Sequence, residues 1–182
     1  MGLDAEVLIW IHGNMSGGAM DTVMKYVSCS GDYAAVWMII SAALLIYKPT
    51  REVGAVMAVA VLLGLVLNDL MIKPLIERPR PFIEDPSLLL IIDPPGGHSF
   101  ASGHTVRAFA AAFALFIYDK KWGTVLLAYA SLIGFSRVYL MVHYPSDVIM
   151  GALIGIICAV AAYKIVEYFK KKYGCPGTDA GE

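Results

Sequence analysis

Five stretches of this chain, 33–47, 53–72, 99–118, 122–140 and 144–163, are almost wholly apolar and close to the length of a membrane-crossing helix. About 20 such residues span the hydrocarbon of a bilayer. The first stretch is short, but Lys48 at its end can snorkel to the interface. Hydrophobic residues make up 58% of the 182 and charged ones 16%. A soluble domain carries roughly 25% charged residues, and one of this size has no core large enough to hide the surplus. A net charge of −1 gives no field to attract a polyanion, so no nucleic-acid partner is expected. Cys29, Cys158 and Cys175 leave an odd thiol and no disulfide framework. The expected fold class is all-α: a polytopic transmembrane helix bundle of five spans, surrounded by membrane lipids.

The long connection lies between the second and third stretches and holds Pro74, Pro79, Pro81, Pro86, Pro94 and Pro95, which mark a loop. The N-terminal 1–32 is expected to be helical and interfacial or re-entrant. Val7–Ile11 is too short to span, residues 19–29 mix apolar side chains with Asp21 and Lys25, and Asp4 and Glu6 argue against a signal peptide. A single domain over 1–182 is expected, with the bundle at 33–172 and a flexible tail at 173–182. Threaded through five crossings, Lys48, Arg51, Lys120, Lys121, Lys164 and Lys170–Lys172 fall on one side and the Pro-rich loop on the other. Excess Lys and Arg mark the cytoplasmic side. The protein is therefore expected in the cell membrane with the Pro-rich side facing outward.

Ionisable residues inside spanning segments are costly and point to function. Asp69, Arg107, Arg137 and Asp147 all fall at the outward end of their segments, beside Lys73, Arg78, Arg80, His98, His104 and His143. That convergence predicts one polar cavity on the outer face. Its residues show no Cys/His zinc spacing and no carboxylate cluster for Mg²⁺ or Ca²⁺, so neither metal nor cofactor is expected. Arginine forks and lysine charges bind phosphate, with hydroxyls at Ser99, Ser102 and Ser136. Ala101-Ser102-Gly103-His104 precedes an apolar run and so begins a helix, whose free N–H groups attract anions. The residues alone thus describe a phosphate pocket at the membrane surface.

His143 and Asp147, spaced i, i+4, share a helix face. The carboxylate can hold one ring nitrogen protonated and leave the other as nucleophile or base. His104, from another helix, can supply a proton to a leaving oxygen. These are the parts needed for phosphoryl transfer through a phosphohistidine. The same cavity also suits a non-enzymatic lipid or anion carrier, though no internal repeat or paired broken helices support one.

Three motifs then resemble those of the type 2 phosphatidic acid phosphatase superfamily. Lys73, six residues and Arg80-Pro81 resemble its first, Ala101-Ser102-Gly103-His104 its second, and Ser136-Arg137…His143…Asp147 its third. The departure is Ala101, where the family has proline, which predicts a looser helix start. The resemblance implies a metal-independent lipid phosphatase with His143 as nucleophile, Asp147 as its partner and His104 as acid. It implies a phosphate cradle of Lys73, Arg80, Ser102, Gly103 and Arg137. Small members with an outward site act on undecaprenyl (polyprenyl) diphosphate, the substrate expected first, or on phosphatidylglycerol phosphate or phosphatidic acid. A vanadate haloperoxidase shares the motif logic but needs no spanning helices.

Blander readings attach to the neighbours. Asp69 is expected to pair with Lys73, Arg107 to pair with an acid or a lipid phosphate, and Arg78 to be a solvated or headgroup-facing neighbour. Gly151 and Gly155 suit a close-packing helix face.

Overall fold

The computed structural model describes residues 2–88 and 90–173, and among them every regular element is helical. The N-terminal helices α1 (Leu3–Met15) and α2 (Gly18–Ser30) lead through a 3₁₀ turn at Asp32–Ala34 into α3 (Ala35–Ile46). A second 3₁₀ turn opens α4 (Arg51–Leu65), which runs on as a π-helix over Val66–Ile72 and then as the short α5 (Lys73–Ile76). Among its described residues the Pro-rich connection beyond α5 forms one further short helix, α6 (Pro81–Glu84). Three long helices follow: α7 (Gly103–Tyr118), α8 (Lys120–Tyr139) and α9 (Pro145–Tyr173).

Each of the five apolar stretches is thus a helix. By length and apolarity, the run Lys48–Glu84 and α9 are long enough to cross a membrane, and α2 with α3, bent by 49°, make a third candidate as a broken or re-entrant span. At 16 residues, α7 is apolar but about 24 Å long, short of a full bilayer core. Residues 1–32 were expected to be helical, and α1 and α2 are. The expected tail lies, from residue 174, outside the described residues.

The bundle is built around α7, which packs against α4, α8 and α9. Ala108, Ala110, Ala111, Ala112 and Ala114 are fully buried on it. Such small side chains let three neighbours approach closely, because apolar side chains gain little by leaving lipid tails for one another. The predicted glycine face of α9 meets this helix. A Cβ on Gly155 would stand 2.5 Å from the Val106 carbonyl, and one on Gly151 would stand 3.0 Å from that of Ser102. On the other flank α3 packs on α4, where Ser41 donates to the Gly54 carbonyl at 2.7 Å.

The two ends of the bundle differ in charge. At one end Glu52 of α4 binds Lys170 of α9 at 2.7 Å and accepts from the Tyr118 hydroxyl of α7 at 3.0 Å. At the other end lie the starts of α7 and α9, the ends of α4 and α8, and the Pro-rich connection. Leu90, Ile91 and Ile92 of that connection pack with Met24, Tyr139, Leu140 and Val142. The connection is thereby folded over the mouth of the bundle.

Candidate active site

At this end is a cavity of ≈ 410 Å³ whose wall includes Lys73, Arg80, Gly103, His104, Arg107, Arg137, His143 and Asp32. Six of the eight residues singled out in the sequence line it. Asp147 and Ser102 stand behind the wall, both fully buried.

His143 sits in the turn between α8 and α9, and Asp147 lies in the first turn of α9. The imidazole is 2% exposed and the carboxylate 0%. Nδ1 lies 3.6 Å from Asp147 Oδ2, beyond hydrogen-bond reach, and 3.4 Å from Ser99 Oγ. The Ser99 hydroxyl donates to the same Oδ2 at 2.5 Å, and the Tyr144 amide donates to it at 2.9 Å. Ser99 therefore stands between the two residues that the spacing pairs. Nε2 turns to the cavity, 3.3 Å from Arg80 Nη1. Burial pushes the His143 imidazole well below its usual pKa, with Arg80 and Arg137 adding to the effect, while Asp147 opposes it. Burial thus favours the neutral ring, and because Ser99 donates to Asp147 it can accept from Nδ1, which leaves the lone pair on Nε2.

Arg80 is buried and pinned: Nε, Nη2 and Nη1 donate to the carbonyls of Gly97, Gly96 and Val142, each at 2.9 Å. Two of its five donors thus hold the Pro-rich connection, a third ties it to the turn between α8 and α9, and a fourth faces His143. Asp69, on the π-helix, holds Lys73 Nζ on one oxygen and Arg107 Nη1 on the other, both at 2.7 Å. The expected Asp69–Lys73 pair is present, and Arg107 joins it in the wall. A Cβ on Gly103 would stand 3.1 to 3.3 Å from the charged atoms of these three side chains. The backbone approaches the cations closely only because this residue is glycine.

Arg137 donates to the Ser28 hydroxyl of α2, while its Nε, like that of Arg107, is buried without a partner among the described residues. Such donors are costly unless an anion satisfies them. His104 Nε2 is 2.7 Å from Asp32 Oδ1 in the 3₁₀ turn after α2. Ser102, the N-cap of α7, uses its amide on the Asp147 carbonyl at 3.1 Å, and its hydroxyl accepts from Thr105 at 3.0 Å. The helix start is not loose: the Ala101 side chain is buried, and its carbonyl accepts from Asn68 at 3.2 Å.

Arg78 corrects the sequence reading. It is no solvated neighbour, for its Nη1 binds Asp147 Oδ1 at 2.7 Å and its Nη2 binds Asp4 at 2.8 Å. Asp4, Asp32 and Ser99 gave no sign of these contacts, because their partners lie 44 to 142 residues away. Among the described residues no three of His, Cys, Asp and Glu gather as metal ligands.

The wall therefore combines a buried imidazole, a second histidine beside a carboxylate, and four cations. A family model described as PAP2 superfamily matches residues 49–171. An undecaprenyl-diphosphatase of Sulfolobus acidocaldarius is 32% identical over 157 residues, covering 85% of this chain and 74% of that one. The crystal structure of Aquifex aeolicus LpxE superposes with a TM-score of 0.79 at 31% identity, over 90% of this chain and 96% of that one. A transmembrane PAP2-type phosphatidylglycerolphosphate phosphatase from Bacillus subtilis shares the fold, with a TM-score of 0.72 at 24% identity, over 93% and 85% of the two chains. The chain belongs to the PAP2 superfamily and is a membrane lipid phosphatase.

Proposed function

We propose that this phosphatase cleaves the terminal phosphate from a polyprenyl diphosphate, releasing the lipid monophosphate, through a phosphohistidine at a site facing away from the cytoplasm. The observation that carries the mechanism is His143 Nε2, turned to a cavity ringed by Lys73, Arg80, Arg107 and Arg137. Nε2 attacks the terminal phosphorus, the P–O bond to the inner phosphate breaks, and His104 gives the departing oxygen its proton. Water then attacks the phosphohistidine as His104 takes back a proton, releasing inorganic phosphate and freeing Nε2. The cations neutralise charge on the transferring oxygens, and Gly103 with the start of α7 supplies backbone N–H groups. Asp147, through Ser99, holds the ring while it carries positive charge.

The diphosphate is favoured because a relative with that named activity aligns over most of both chains. The outward site is favoured by the basic residues at the far end of the bundle. We assign membrane crossing to all five of α3, α4, α7, α8 and α9, with α1 and α2 at the interface. The test is phosphate release from polyprenyl diphosphate, phosphatidylglycerol phosphate and phosphatidic acid, in detergent with chelator present. The diphosphate should give the highest kcat/KM, vanadate should inhibit, and His143→Ala should lose at least about a thousandfold in kcat. Full turnover by His143→Ala overturns the mechanism, and faster cleavage of a monoester overturns the substrate. Binding of these lipids without hydrolysis would make the protein a carrier.

A further inference from the structure

Asp147 is fully buried, and only one of its oxygens is satisfied from the His143 side, by Ser99 and the Tyr144 amide. The other oxygen takes Arg78 Nη1 at 2.7 Å. The backbone of Arg78 reaches the same network, since its carbonyl accepts from the Ser99 amide at 2.8 Å. Arg78 thus touches both groups that hold His143. Its guanidinium is itself fixed, with its carbon 4.1 Å above the Tyr144 ring and Nη1 donating to Ser146 Oγ at 2.7 Å. Its second arm binds Asp4 of α1 at 2.8 Å. Asp4 accepts in turn from the Ser146 amide at 3.0 Å and from its hydroxyl. One guanidinium therefore serves two carboxylates: one from the His143 network and one from the N-terminal helix.

We propose that Arg78 is a positioning residue for the phosphoryl transfer, fixing Asp147 against His143, and that Asp4 tunes it by sharing the same guanidinium, so that docking of α1 sets the activity of the site. The proposal rests on the phosphohistidine reading above. A buried carboxylate is tolerable only while it is paired. The charge that Arg78 presents to Asp147 depends on how much of it Asp4 neutralises. The other ionisable groups facing this network are Arg80 from the Pro-rich connection, Arg137 from α8, and Glu84 of α6, whose carboxylate accepts from the Tyr144 hydroxyl at 2.5 Å. None of these is itself replaced by a change at residue 78 or 4. Removing Arg78 takes a cation away from the His143 network, so His143 protonates more easily and the acid limb of activity moves to higher pH. Removing the Asp4 charge leaves the cation uncompensated and moves the same limb to lower pH.

The experiment compares the full-length wild-type enzyme with Arg78→Ala, Arg78→Lys and Asp4→Asn. It measures kcat and KM for polyprenyl diphosphate across about pH 3 to 9, with thermal unfolding in parallel. Arg78→Ala should lose roughly 10–100-fold in kcat with KM within about twofold. Its acid limb should rise by about half a pH unit or more. Arg78→Lys should recover part of kcat, and Asp4→Asn should move the limb the opposite way. An unmoved limb in both Arg78→Ala and Asp4→Asn, or a loss that tracks only unfolding temperature, overturns the proposal. Should Arg78→Ala fail to purify folded, the direction of the Asp4→Asn shift decides. Absence of hydrolysis by the wild-type enzyme would instead sink the phosphatase chemistry itself.

Discussion

Gly103 stands where a methyl group would press on Asp69, Lys73 and Arg107 at once. All three neighbours are tips of flexible side chains, so Gly103→Ala should fold but displace the cations by a few tenths of an ångström. We expect kcat/KM to fall about tenfold, mainly through KM, with the unfolding temperature within about 2 °C of wild type. Steady-state kinetics beside a thermal melt check this; an unchanged KM would mean that no ligand oxygen comes near this residue. The residues that sequence spacing could reveal were those whose partners are one helical turn away, such as Asp69 with Lys73. Their proximity follows from helix geometry alone. The i, i+4 spacing of His143 and Asp147 was equally visible, but not the Ser99 hydroxyl between them, which comes from the far end of the Pro-rich connection. Arg78 and Arg80, two residues apart, read alike in the sequence. Only the folded connection sends one to Asp147 and the other to the cavity.

Hydropathy located the five apolar helices because a bilayer imposes a composition on helices set among lipid tails. It did not locate their functional ends. The stretch at 99–118 begins as irregular backbone, and α7 starts only at Gly103. The second stretch does not stay α-helical: it widens into a π-helix that carries Asn68 and Asp69. Such turns gather at functional sites and leave no mark in an apolar pattern. The contact of α7 with α9 is tightly packed. A Cβ on Gly155 meets the Val106 carbonyl at 2.5 Å and the Ala110 amide nitrogen at 2.9 Å, both backbone atoms that yield only if the helices part. Gly155→Ala should therefore cost about 1–3 kcal/mol. A melt in detergent should show it as a drop of several degrees, and an unchanged melting temperature would refute tight apposition of these helices.

Across the whole molecule, charge is sorted to the two ends. The Glu52–Lys170 end collects basic residues, and the cavity end collects the ionisable side chains of the site. The sequence revealed this polarity because threading helices alternately up and down turns position along the chain into depth. It did not reveal that α1 and α2 close over the cavity end through Asp4, Ser28 and Asp32. Those helices are too short and too mixed for hydropathy to place. With Cys29 and Cys175 replaced by serine, a cysteine substituted for Ser87, an exposed residue of the Pro-rich connection, should react with a membrane-impermeant maleimide added to intact cells. Reaction only after lysis would reverse the orientation.

Lys73, Arg80, Arg107 and Arg137 face the cavity against the carboxylates of Asp32 and Asp69, a surplus of two positive charges. A phosphate ester at neutral pH carries about that charge with opposite sign. A surplus inside a low-dielectric bundle is costly to leave uncompensated. Inorganic phosphate, born in the site and matched to it in charge, should therefore hold to the same cations and compete with the next lipid head group, so that added phosphate raises the apparent KM.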